Sequence, residues 1–108
     1  MTILHFCPRA EWVRAQAEGE YAADTLATEG FIHCSAAEQV HAPANELVRG
    51  RTDLVLLEID ESYLAEPPRV EGGFPHVYGP IPVAAVVAVH DFPPDPDGTF
   101  TLPAALRT

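Results

Sequence analysis

The chain contains no lysine. Its 6 Lys+Arg are all arginine and face 16 Asp+Glu, for a formal charge of −10 over 108 residues. That balance argues against broad attraction to nucleic acid phosphates or other polyanions. It leaves room for a local arginine-lined pocket for a small anion, because composition averages over a surface and a site does not. Cysteine is also scarce. Cys7 and Cys34 are too few for a disulfide scaffold and lack the close pairing of a zinc ribbon, so both are expected to be reduced and free of metal. Their nearness to strand histidines keeps a mixed Cys/His metal site as the alternative to two buried small hydrophobes. No apolar run approaches the roughly 18 residues of a membrane-spanning helix. The opening Met1-Thr2-Ile3 lacks the basic region and long apolar segment of a secretory signal, and the expectation is a soluble, cytoplasmic protein. Phosphate-loop and dinucleotide fingerprints are missing too: Gly30 and Gly72-Gly73 read as turn residues, and Arg9, Arg14, Arg49, Arg51 and Arg69 are scattered.

What is present is apolar content of 47%, enough for one core in a chain this long. Residues 1–108 therefore read as a single compact domain. Alternation in Ile3 to Phe6 predicts a first strand with Ile3, His5 and Cys7 on one face and Leu4 with Phe6 on the other. Pro8 suits the first turn of a helix reaching about Glu18, stopped by Gly19. Glu20 to Gly30 has weak periodicity and reads as a loop or short turns, and Phe31 to Cys34 as a short strand. Ser35-Ala36-Ala37-Glu38 has the form of a capping box, so a second helix is expected after Ser35, kinked or divided by Pro43 and ended near Gly50. Asp53 to Asp60 is the strongest strand signal and suits burial on both faces. Glu61 to Gly73 reads as a mobile connection and Val83 to Val89 as another strand. Thr99 to Leu102 either adds an edge strand or trails off. The architecture is α+β.

Three histidines recur in β-like runs, in Ile3-Leu4-His5-Phe6-Cys7, Phe31-Ile32-His33-Cys34-Ser35 and Phe74-Pro75-His76-Val77-Tyr78. Imidazole hydrogen-bonds, binds metal and moves protons near neutrality, so His5, His33 and His76 are the candidate site residues, expected to share one cleft. Alternation puts Phe31, His33 and Ser35 on one face. Each residue also has a purely structural reading: His5 and His33 as hydrogen-bonded core imidazoles, Ser35 as an N-cap, Tyr78 as a half-buried turn residue. Cys34 points away from His33, which counts against a thiolate–imidazole pair. Glu58 and Asp60 share a strand face and either polarise a histidine or are simply solvated.

Leu4-His5-Phe6, Glu29-Gly30-Phe31-Ile32-His33-Cys34-Ser35, Asp53 to Asp60 and Phe74-Pro75-His76-Val77-Tyr78-Gly79-Pro80-Ile81 occur in an order and spacing that resembles the bacterial domain-of-unknown-function 952 family along nearly the whole chain. That family looks like a small member of the ADP-ribosyltransferase fold. The resemblance implies an ADP-ribosyltransferase-like split β-sheet with two early helices, and a cleft that takes NAD as substrate, with no tightly bound cofactor. It implies that His5 holds the ribose hydroxyls, that His33 or His76 acts as acid/base, and that Phe31, Ser35 and Tyr78 bind the nucleotide. Protein-modifying transferases commonly have a glutamate where this chain has His76, so their chemistry is not expected. An RNA phosphotransferase branch is closer in histidine content, but the −10 charge opposes an RNA substrate. The expected function is binding of NAD or a related nucleotide with transfer of ADP-ribose to a small molecule, or, alternatively, noncatalytic binding of a small ligand.

Overall fold

A computed structural model describes residues 2–106 of the chain. Strand β1 (Thr2–Pro8) runs antiparallel to β4 (Leu54–Asp60), which also pairs with β8 (Val86–Asp91) to give the three-stranded sheet β1-β4-β8. The central place of β4 accounts for its sequence: Val55, Leu57 and Ile59 enter one apolar cluster with Ile3 and Cys7, and Leu54 and Leu56 enter a second with Leu4, Phe92 and Phe100. A strand buried on both faces needs an almost continuous apolar run. The expected alternation of β1 is met: Ile3 and Cys7 face one cluster, Leu4 and Phe6 the other.

Helix α1 (Arg9–Glu18) follows β1 directly and buries Trp12 and Ala15. Gly19 closes it at φ +87°, donating its amide to the Ala15 carbonyl at 2.8 Å, a left-handed cap that glycine adopts without steric cost. The next segment departs from expectation. Glu20 to Gly30 is not a plain loop: it holds β2 (Glu20–Tyr21) and a short helix α2 (Asp24–Thr28), so the two expected early helices become three. Five helical residues are too few to show a period, and α2 buries no residue fully.

Strand β3 (Ile32–His33) leads into a 3-10 turn (Ala37–Gln39) and helix α3 (His41–Leu47). The helical segment after Ser35 is divided, as Pro43 suggested, and Pro43 sits in the first turn of α3, where amides have no partner within the helix. The expected capping box is displaced by one residue. Ser35 pairs its backbone with Leu4, at 2.7 and 2.8 Å, and Gln39 takes the capping role by accepting the Ala36 amide at 3.0 Å.

After a 3-10 turn (Glu61–Tyr63), β5 (Arg69–Glu71) and β6 (Phe74–Val77) form a hairpin, so the expected connection is ordered over its last part. Its two-residue turn is Gly72-Gly73 at φ +61° and +84°, the signs a primed hairpin turn requires. β6 also pairs with β3, giving the second sheet, β3-β6-β5. β7 (Ile81–Pro82) pairs with β2. β8 starts later than expected because Val83–Ala85 first makes a 3-10 turn. Residues 99–102 form no strand, yet Phe100 is buried and the Asn45 amide clamps its backbone, accepting from Phe100 N at 2.6 Å and donating to its carbonyl at 3.1 Å. Among the described residues no helix is long and apolar enough to cross a membrane.

Candidate functional site: an imidazole cleft on the seam between two sheets

The two three-stranded sheets meet where β1 passes β3. Leu4 and Ser35 exchange both backbone hydrogen bonds there, and the next residue on β1, His5, reaches across with its ring to the His33 carbonyl, Nδ1 to O 2.6 Å. A cleft of about 570 Å³ opens on this seam, within the range of small-ligand sites. His5, His33 and His76 all line it.

His33 and His76 are directly paired across β3 and β6, which puts their side chains on the same face. Their ring centroids lie 5.4 Å apart. Phe31 presents an edge-on contact to each, 4.9 Å from His33 and 4.7 Å from His76, and so fixes both from behind. His76 Nδ1 is 2.8 Å from the Phe74 carbonyl and must donate to it, since a carbonyl only accepts. In neutral imidazole that leaves Nε2 as the lone-pair nitrogen. His33 Nε2 lies 3.4 Å from Glu29 Oε1.

At the cleft floor His5 has a partner at each nitrogen. Nδ1–H donates to the His33 carbonyl, and Nε2 accepts from the Tyr21 hydroxyl at 2.8 Å. The same hydroxyl lies 3.5 Å from Glu11 Oε1. One proton serves two acceptors, and the nearer imidazole takes it. Burial pushes the His5 imidazole down to about 4, outweighing the His33 carbonyl, which favours its charged form, so His5 is neutral at pH 7. Burial, with Cys7 and Glu11 nearby, drives the Tyr21 phenol far above its ordinary range. Cys7 and Cys34, both free thiols, are each pushed up to about 12, chiefly by burial. They are protonated and poor nucleophiles. Among the described residues no group of three or more His, Cys, Asp or Glu could hold a metal ion.

The other expected site residues divide. Ser35 is 4% exposed and lines the cleft. Phe31 lies behind the imidazoles. Tyr78 packs on Phe31 at 5.4 Å, donates to Glu71 at 2.6 Å, lies under the Arg69 guanidinium and borders a separate cavity of about 370 Å³. Glu58 does meet a histidine, at 3.0 Å, but it is His90 on β8, away from the three. Sequence reasoning missed Tyr21, Glu11, Thr25 and Glu71, all of which line the cleft. Tyr21, an aromatic with a polar tip two residues after the helix-ending Gly19, was the one legible signal among them.

Fold and site together define a small α+β domain with a histidine-lined cleft between antiparallel sheets. The family described as Protein of unknown function (DUF952) matches residues 6–89, and the chain belongs to it. The crystal structure of protein CC0527 from Caulobacter crescentus has a TM-score of 0.85 at 37% identity, over 94% of this chain and 95% of that one. A double mutant of the same protein gives 0.85 at 36% identity over the same shares. Its solution NMR structure gives 0.83 at 36% identity, over 98% of this chain and 97% of that one. No curated protein matches the chain.

Proposed function

We propose that the cleft binds NAD or a related nicotinamide nucleotide as substrate and transfers its ADP-ribosyl group to a small acceptor, on an ADP-ribosyltransferase-like split sheet. The observation that carries this reading is the His33–His76 pair, set 5.4 Å apart across β3 and β6 in a cleft whose floor is the neutral imidazole of His5. Two sheets joined along one seam, with the cleft on it, suit a split-sheet nucleotide site. Transfer breaks the bond from the ribose carbon to the pyridinium nitrogen. Its electron pair leaves with nicotinamide, and an acceptor oxygen bonds the carbon as it loses its proton. The proton needs a base, and His76 Nε2 has the free lone pair once Nδ1 is held by the Phe74 carbonyl. Positive charge builds on the ribose in that step, and the carboxylates of Glu11 and Glu71 on the cleft wall favour it. His5 acts as a positioning residue by fixing the His33 backbone, and Ser35 offers a hydroxyl beside it.

A second reading, noncatalytic binding of a small ligand, is favoured by one observation. Both His5 nitrogens are engaged within the fold, so His5 has neither to offer a ribose hydroxyl. Incubation with NAD, with chromatographic measurement of nicotinamide, separates the two. Release that His76→Gln abolishes while NAD still binds in calorimetry supports transfer. Binding without release supports the second reading, and neither binding nor release refutes the first.

A further inference from the structure

The cleft carries three glutamates, Glu11 on α1, Glu46 on α3 and Glu71 on β5, and no arginine is among its described lining residues. The arginines nearby are committed elsewhere: Arg9 to Asp91, Arg51 to Asp53, and Arg69 against the Tyr78 ring. The chain has no lysine to take their place. Carboxylates around a concave surface, with no cation among them, focus a negative potential, which raises the local concentration of cations and lowers that of anions. Aromatic faces accompany them, since Phe6, Tyr21 and Phe74 also line the cleft, and such faces attract organic cations.

Resting on the reading of the cleft as a nicotinamide-nucleotide site, we infer that its selectivity is for the cationic pyridinium-ribosyl end of the ligand, and that it discriminates against phosphate. The ligand class is a pyridinium nucleoside, held by carboxylates and aromatic rings, with any diphosphate left toward solvent at the cleft mouth.

Calorimetric titration of the full chain with nicotinamide riboside, NAD and ADP-ribose, at low and at physiological salt, tests this. The riboside, a cation without phosphate, should bind at least tenfold more tightly than ADP-ribose, which lacks the pyridinium. Added salt should weaken the riboside and not ADP-ribose. Glu46→Gln with Glu71→Gln should cost riboside affinity about threefold per carboxylate, which is what Coulomb's law gives for unit charges roughly 6 Å apart in water. Circular dichroism and the melting curve establish that the variant is folded. ADP-ribose binding as tightly as the riboside, or a riboside affinity indifferent to both salt and the two substitutions, would overturn the inference while leaving the nucleotide site standing. Failure of all three ligands to bind would remove the site and the inference together.

Discussion

Acidification from pH 7 to pH 5 should destabilise the fold through His5 alone by about 2 kcal/mol. The folded imidazole sits at about 4, against 6.5 for an ordinary histidine. A depressed base is the case in which the unfolded chain binds the proton more readily, so stability is fully present above about 6.5 and is lost as pH falls toward 4. Each tenfold difference in proton affinity between the folded and unfolded chain is worth about 1.4 kcal/mol, so the linkage reaches about 2 kcal/mol at pH 5 and about 3 kcal/mol at pH 4. Asp53, Asp60 and Asp97 have carboxyls lowered below 3.8 by hydrogen bonds from Arg51, Ser62 and Thr99, so their losses fall below this window. Neutralising part of the −10 charge works in the opposite direction and would mask the effect in the wild type alone. The informative comparison is urea unfolding of wild type and His5→Asn at pH 7 and pH 5. Asparagine retains a donor for the His33 carbonyl and does not titrate. The variant should be less stable at pH 7, and the gap should narrow by about 2 kcal/mol at pH 5. A gap that stays constant would refute a neutral His5 held between the His33 carbonyl and the Tyr21 hydroxyl.

His33→Ala should abolish any thermal shift caused by NAD while lowering the melting point little, because the ring is exposed at the cleft; a large loss of stability with no ligand shift in the wild type would make it a structural imidazole. Asn45→Ala removes both hydrogen bonds to the Phe100 backbone and should cost about 2 kcal/mol in urea unfolding; no change would show that Phe100 is held by packing alone. Gly73→Ala, at φ +84° in the β5–β6 turn, should cost about 1 kcal/mol by the same measurement. Cys7 and Cys34 should react with a thiol reagent at pH 8 only as the chain unfolds, given their burial and values near 12; rapid modification of the native protein would contradict their placement.

The elements legible in the sequence were those with a strong local period or a strong stop. β4 announced its two buried faces through an apolar run, and α1 announced its end through Gly19. Elements of two to five residues were not legible: β2 exists only through partners far along the chain, in the Glu20–Pro82 and Tyr21–Ile81 pairs, and α2 is too short to show a helical period. The capping box failed for a related reason: the Ser35 backbone was claimed by Leu4, a residue of the other sheet. The three histidines could be named from their strand contexts, but the mutual placement of His33 and His76 depends on antiparallel register between β3 and β6, which local pattern does not specify. Glu11 and Thr25 escaped because a surface carboxylate and a short-helix threonine look ordinary until the chain folds them against the cleft.

The most direct test of the central claim is an NMR titration of the histidine ring resonances with NAD. The chain supplies its own control in His90, which pairs with Glu58 outside the cleft. Saturable shifts are expected at His33 and His76 and none at His90. Unmoved His33 and His76 resonances at saturating NAD, or a shift confined to His90, would contradict it.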